Sequence, residues 1–127
     1  MLQTGGNTKS PTRIYIHFIW GTKDRQRVLT RDARNEVEMH IREYSRRNNI
    51  FVIEVGGYID HLHLLVDLPP TRSPSEVINL IKGESSHWIN ENNIVRGKFV
   101  WQKRYSAFSV SASQREKVVD YILRQEE

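Results

Sequence analysis

The sequence contains no cysteine, few prolines and no long apolar run. Without cysteine there are no disulfides and no thiolate metal sites, so any metal ion must be bound by His, Asp, Glu or Gln. No stretch approaches the roughly 18 consecutive apolar residues of a membrane-spanning helix. Residues 1–12 are polar and lack the apolar core of a signal peptide, so we expect a disordered leader. We therefore expect a cytoplasmic protein with a single domain over residues 13–127.

Basic residues are distributed unevenly, although the net charge is only +4. One group follows the first apolar segment, and a second lies near residue 100 beside Trp101, Tyr105 and Phe108. Basic and aromatic side chains together are typical of a surface that binds single-stranded nucleic acid. On charge alone, a solvated basic face is an equally good interpretation. The residues we expect to contact such a nucleic acid are Lys23, Arg25, Arg27, Lys82, Lys103 and Arg104.

The pattern of apolar residues predicts the element order β-α-β-β-α-β-α. Strands are expected over 13–20, 51–55, 61–68 and 98–111, the second ending at Gly56-Gly57 and the fourth interrupted near Arg104. Thr30 is the expected N-cap of the first helix, and capping boxes beginning at Ser73 and Ser113 should start the other two. A split βαβ pair of this size predicts a ferredoxin-like α+β fold. Such a fold has a four-stranded antiparallel sheet with two helices on one face, here followed by a C-terminal helix.

His61 and His63 are separated by one leucine at the start of the third predicted strand. Side chains two apart in a strand point to the same face, roughly 6.5–7 Å from each other. Two imidazoles on one face are the minimum that a divalent ion requires. A pair of ordinary sheet histidines is nevertheless the commoner explanation of an isolated His-x-His. Further residues are therefore needed to favour a metal site.

Those residues are Tyr121 and Gln125, which lie four apart in the predicted C-terminal helix and are therefore neighbours on its surface. Each alone has an ordinary interpretation, as a packed aromatic and a solvent-exposed amide. A tyrosine hydroxyl has an ordinary pKa near 10, so it is a weak nucleophile unless a nearby group activates it or its target. A divalent ion bound to the scissile phosphate activates the target of the nucleophile. Two imidazoles and an amide oxygen suit Mg²⁺ or Mn²⁺, with nitrogen ligands favouring Mn²⁺.

Three further residues, in separate segments of the sequence, each have two possible roles. Asp60 could orient a ligand histidine, although an aspartate at a strand entry is more often a turn residue. His17 could share the face of the histidine pair or lie in the core, and we favour the core. Lys82 could face DNA, but a solvated lysine is the more common case.

The histidine pair followed by Tyr121 and Gln125, in this order along the chain, resembles the motifs of the single-tyrosine HUH transposases of the IS-two-hundred type of insertion sequence. The resemblance covers roughly residues 13–127. It rests mainly on Asp60-His61-Leu62-His63-Leu64-Leu65-Val66 and on Asp120-Tyr121-Ile122-Leu123-Arg124-Gln125. Residues 18–23, 99–102 and 105–110 also resemble this family.

The resemblance implies that His61, His63 and Gln125 bind Mg²⁺ or Mn²⁺ and that Tyr121 is the nucleophile, forming a 5′-phosphotyrosine and a free 3′-hydroxyl. It further implies that the protein cleaves and rejoins single-stranded DNA at hairpin-bearing ends of an insertion sequence. It also implies a homodimer, in which the tyrosine helix of one subunit can complete the site of the other.

Two other functions are compatible with the same residues. A transposase-derived repressor would bind nucleic acid through the same fold without cleaving it. A small metal-dependent hydrolase would use the histidine pair alone and would not need the Tyr121 hydroxyl.

Overall fold

A computed structural model describes residues 12–125 and has the predicted order of strands and helices. The strands are β1 (Tyr15–Gly21), β2 (Phe51–Tyr58), β3 (His61–Asp67) and β4 (Ser106–Val110). The helices are α1 (Arg31–Arg47), α2 (Pro74–Glu91) and α3 (Arg115–Leu123), with short 3-10 turns at Lys23–Arg25 and Ala112–Gln114. No helix in the described range is long and apolar enough to cross a membrane. Residues 1–11 of the expected leader lie outside that range.

The four strands form one sheet in the order β2-β3-β1-β4, and all neighbouring pairs are antiparallel. The connections through α1 and α2 each join strands that have another strand between them. This is the split βαβ pairing, so the expected ferredoxin-like α+β fold is confirmed.

The two faces of the sheet have different partners. Alternate residues of β1 and β3, including Phe18 and Leu64, are fully buried in the main apolar core that contains residues of α1 and α2. The intervening residues face the other way, where Tyr15, Leu65 and Ile122 of α3 form a smaller cluster. The histidines of β3 lie on this second face because they alternate with the core leucines. The period-2 pattern thus places them beside α3.

Two of the three predicted helix caps are present. The Thr30 hydroxyl accepts a hydrogen bond from the backbone N–H of Ala33, and Ser73 forms a complete capping box with Glu76. The box predicted at Ser113 is wrong, because Ser113 lies inside the 3-10 turn and its hydroxyl pairs with that of Ser111. α3 instead begins at Arg115, without a side-chain cap at Gln114.

Gly56-Gly57 does not end β2, contrary to expectation, since the strand continues to Tyr58 and both glycines pair with β3. The glycines are required by close approaches. A Cβ at Gly56 would lie 2.9 Å from the carbonyl oxygen of Ile122, and one at Gly57 would lie 2.2 Å from the carbonyl oxygen of His61. Gly56 therefore permits α3 to pack directly on the sheet.

The expected interruption near Arg104 is present. Only residues 106–110 pair with β1, while the residues before them are connected to the sheet by a single bridge between Thr22 and Trp101. The segment between this bridge and β4 carries Lys103 and Arg104.

Candidate active site

His61 and His63 are neighbours on the second face of the sheet, with ring centroids 5.0 Å apart. His61 Nδ1 donates a hydrogen bond to Asp60 Oδ1 at 2.8 Å. Because an ionised carboxylate can only accept, this bond leaves the Nε2 lone pair of neutral His61 free. Asp60 is thus an orienting partner of His61.

His17 lies on the same face and contacts His63, so the preferred assignment of His17 to the main core was wrong. His17 Nε2 lies 2.9 Å from His63 Nδ1, and the two rings stack with centroids 5.1 Å apart. Both are buried, with 7% and 2% of their surfaces exposed. The alternation along β1 could have indicated this, since Ile16 and Phe18 on either side of His17 face the main core.

α3 carries Tyr121 to these histidines, but the helix ends at Leu123, so the expectation that Gln125 also lies in it was wrong, and Gln125 lies in the turn that follows. The buried residue Ile122 of α3 packs against β2 at Gly56. The Tyr121 ring then lies 5.4 Å from His63 and 6.2 Å from His17, measured between centroids. Half of Tyr121 stays exposed, at 50% of its surface. The tyrosine is therefore accessible from outside while it contacts a buried histidine pair.

The Gln125 side chain is oriented by the C-terminal end of α3. Its Nε2 donates to the carbonyl oxygen of Tyr121 at 2.9 Å, which turns Oε1 toward His61 Nε2 at 3.3 Å. When Asp60 holds the proton of His61 on Nδ1, both facing atoms are acceptors. A cation between them, or a second proton on His61, is then required for the contact to be favourable.

Burial changes the pKa values around the site. Desolvation is the largest of the effects that lower the pKa of His63 to about 4, and electrostatic interactions with His17 and His61 act in the same direction. A hydrogen bond with Gln125 has a smaller, opposing effect. Desolvation also lowers the pKa of His17. Burial raises the pKa of Asp60, but the hydrogen bond from His61 and the charges of Arg25, His61 and Arg27 outweigh it, so that this pKa lies below its ordinary value. His17 and His63 are therefore neutral at pH 7, the state in which imidazole can be a ligand.

The donor set fits a divalent ion. No three His, Cys, Asp or Glu side chains between residues 12 and 125 form a metal cluster. The third protein ligand would therefore be the amide oxygen of Gln125. Two neutral imidazoles and one amide oxygen leave several coordination positions for phosphate and water, which suits Mg²⁺ or Mn²⁺.

An open cleft of about 270 Å³ adjoins the histidines. Ile19 and Gly21 in its wall are the β1 residues paired with His63 and His61. Arg25 and Arg104 also line this cleft. The Nε atom of Arg25 lies 3.5 Å from Oδ2 of Asp60. A neighbouring cleft is lined by Lys23, Lys103 and Arg104, all exposed. The guanidinium of Arg27, the remaining predicted DNA contact, lies 6.0 Å from the centre of the Tyr58 ring.

Lys82 does not belong to this exposed basic surface, and the prediction that it contacts DNA was wrong. It is 8% exposed, and its ammonium donates to the carbonyl oxygens of Gln102, Lys103 and Arg104 at 2.7, 2.9 and 3.4 Å. Its three donors are thus used within the protein. Burial also lowers its pKa. Lys82 anchors the segment before β4, whose side chains Lys103 and Arg104 are exposed.

Of the three aromatic residues near the second basic group, only Phe108 is available as a stacking surface. Trp101 is 5% exposed and donates from its indole N–H to Ser85, and Tyr105 packs against the main core. Phe108 is 55% exposed and is paired with His17, so it lies on the face of the histidines. Its ring centroid is 6.5 Å from that of His17.

The family model described as "Transposase IS200 like" matches residues 10–125. The transposase for insertion sequence element IS200 of Salmonella typhimurium is 27% identical over 114 residues, which covers 86% of this chain and 74% of that protein. The Salmonella typhi transposase for the same element matches equally.

Two solved structures share the fold. A candidate transposase from Deinococcus radiodurans has a TM-score of 0.72 and 22% identity, covering 99% of this chain and 98% of that one. A REP-associated tyrosine transposase bound to a REP hairpin has a TM-score of 0.65 and 16% identity, covering 94% and 70%. Since the family model spans nearly the whole sequence and the fold agrees, the chain belongs to the IS200-like transposase family.

Proposed function

We propose that this transposase cleaves and rejoins single-stranded DNA through a covalent 5′-phosphotyrosine at Tyr121. The observation that carries the proposal is the position of Tyr121, half exposed and 5.4 Å from the buried His63 ring on the face that His61 and Gln125 share. A phenol in this position is reachable by a DNA phosphate while the phosphate lies beside the candidate ligands.

The cleavage step exchanges one phosphodiester bond for another. Tyr121 Oη attacks the phosphorus atom and forms a P–Oη bond, while the bond to the 3′ oxygen breaks. The leaving oxygen takes up a proton as a 3′-hydroxyl, and the phenol proton passes to solvent at this exposed edge. Attack by another 3′-hydroxyl reverses the step and rejoins the strand. Because the bond energy is kept in the phosphotyrosine, no nucleotide cofactor is consumed.

His61, His63 and Gln125 are the residues that would hold Mg²⁺ or Mn²⁺. When bound, the ion would act as a Lewis acid that polarises the phosphate and offsets the negative charge that develops on its oxygens. Asp60 keeps the His61 ring oriented for this role. His63 is buried and the other two side chains are partly buried, which excludes solvent and strengthens their electrostatic effect.

The DNA strand would lie along the cleft beside the histidines. Arg25 and Arg104 in the cleft and Lys23 and Lys103 next to it supply positive charge for the backbone, and Phe108 supplies an aromatic face for a base.

Recognition of hairpin ends is supported by the structural relative that binds a REP hairpin. The resemblance to the family supports a homodimer acting in the cytoplasm. Light scattering of the protein with and without DNA tests the dimer.

The proposal is tested with a hairpin-bearing oligonucleotide, Mn²⁺ and a denaturing gel. DNA labelled at its 3′ end should give a labelled protein band, because the 5′ phosphate of the downstream fragment stays on Tyr121. DNA labelled at its 5′ end should give only a shorter free product. Tyr121→Phe and chelation of the metal should each abolish the band.

Tyr44→Phe is the matched control, since it removes a phenol hydroxyl from α1, on the opposite face of the sheet. A covalent band that survives in Tyr121→Phe would overturn the assignment of the nucleophile. Hydrolysis without any adduct would indicate a metal-dependent hydrolase, and binding without cleavage would indicate a repressor.

A further inference from the structure

His17 contacts His63 in a way that the proposed chemistry does not yet explain. The two rings share one hydrogen bond, between His17 Nε2 and His63 Nδ1 at 2.9 Å. One of the two nitrogens must carry the proton and the other must accept it. Both rings are almost completely buried, so water is a poor substitute partner for either.

In His61, by contrast, the hydrogen-bond partner fixes which ring nitrogen carries the proton. Asp60 can only accept, so it keeps the proton of His61 on Nδ1 and leaves Nε2 as a potential ligand. An imidazole partner, in contrast, can donate or accept. If His17 donates, the proton of neutral His63 lies on Nε2 and that atom cannot bind a metal ion. If His17 accepts, His63 carries its proton on Nδ1 and its Nε2 lone pair is free.

We infer that His17 is a positioning residue which, in the metal-bound protein, accepts a hydrogen bond from His63 Nδ1–H and so fixes His63 in the tautomer that binds metal through Nε2. His17 then carries its own proton on Nδ1. The site thus uses two different orienting acceptors, a carboxylate for His61 and a neutral imidazole for His63. This inference rests on the proposed function, because it requires that His63 is a ligand.

The first test measures Mn²⁺ affinity of the full chain without DNA, by calorimetry. In His17→Phe the ring volume is retained but the acceptor is lost, and Mn²⁺ should bind about 10–100-fold more weakly, the usual effect of losing an orienting partner. His17→Gln retains an acceptor oxygen and should bind within a few-fold of wild type. His40→Gln is the matched control, since His40 pairs with Glu84 and stacks on Trp88 away from the site, and its affinity should be unchanged.

The second test locates the protons directly by ¹⁵N NMR of histidine-labelled wild type with Mg²⁺. His63 should be protonated on Nδ1 and His17 on Nδ1, with His17 Nε2 unprotonated. A proton on His17 Nε2 in the metal-bound protein would overturn the inference, and this measurement decides the matter if His17→Phe does not fold.

The outcomes separate the inference from the proposed function. If wild type binds Mn²⁺ and folded His17→Phe binds it equally well, the role of His17 is wrong while the metal site stands. If wild type binds neither ion, both the metal site and the inference that depends on it are wrong, although covalent capture of DNA by Tyr121 can still be tested separately.

Discussion

At the scale of single residues, the candidate site separates side chains that are buried and hydrogen-bonded from side chains that are exposed. His17 and His63 are buried and bonded to each other, and Asp60 bonds to His61. Tyr121 and Phe108 are each at least half exposed on the same face. Buried polar groups need fixed partners, whereas an exposed aromatic gains energy only when something covers it. This difference supports the proposal that the first group orients the site and that the second contacts the substrate.

Phe108→Ala should weaken the binding of single-stranded DNA by about 1–3 kcal/mol, because an aromatic–base stack contributes roughly that amount. Phe108→Trp should restore the affinity. Fluorescence anisotropy with labelled DNA measures both. Met39→Ala is a suitable control, since Met39 is also exposed but lies on α1, behind the sheet. Equal affinity of wild type and Phe108→Ala for DNA would exclude a stacking role.

At the scale of elements, the site depends on how closely α3 approaches the sheet. The helix of residues 115–123 contacts β2 and β3 through a small apolar cluster around Ile122. Its backbone passes Gly56 so closely that no side chain fits between them. The position of Tyr121 relative to His63 is thus set by a glycine in a strand that contributes no candidate catalytic group.

Gly56→Ala should therefore displace α3 and reduce covalent adduct formation on the order of tenfold to a hundredfold, because small displacements of a reacting group have effects of that size. DNA binding should change much less, since no residue that lines the basic cleft belongs to α3 or β2. The denaturing gel and anisotropy measure the two effects separately.

Gly83→Ala provides the control for Gly56→Ala. An added Cβ at Gly83, in α2, meets no atom within 4 Å, and alanine favours a helix by up to about 1 kcal/mol over glycine. This variant should be at least as stable as wild type and fully active. If Gly56→Ala formed adduct at the wild-type rate, the close approach of α3 would not control the position of Tyr121.

At the scale of the whole molecule, the fold was far more predictable than the details of the site. Alternation in β1 and β3 and the capping box at Ser73 depend on local sequence, and they predicted these elements correctly. The roles of Gly56 and Lys82 depend on atoms from distant parts of the chain, namely the backbone of α3 and carbonyl groups near residue 103. The ordered histidine and tyrosine motifs indicated which residues converge, but not that His17 joins them.

Burial of histidine also affects the stability of the whole protein. In the unfolded chain His63 ionises near its ordinary pKa of 6.5, whereas in the folded protein its pKa is lowered to about 4. Below pH 6.5 the unfolded state therefore binds a proton that the folded state does not, so the free energy of unfolding falls as the pH decreases toward 4.

Between pH 7 and pH 5 the metal-free protein should lose about 2 kcal/mol of stability from His63 alone. Urea unfolding in the presence of EDTA measures this, and His63→Gln should show a smaller decrease over the same range. The lowered pKa of His17 acts in the same direction. The same pH dependence in wild type and variant would contradict the assignment of this effect to His63.

The buried ammonium of Lys82 has a consequence for how this protein can change over time. It holds residues 102–104 through three backbone carbonyl groups, so these hydrogen bonds do not depend on which side chains those residues carry. Lys103 and Arg104 can be replaced without removing the anchor, and both are exposed. The surface proposed to bind DNA can therefore diversify at little cost in folding, and on this proposal related proteins with different target sequences can arise on one unchanged scaffold.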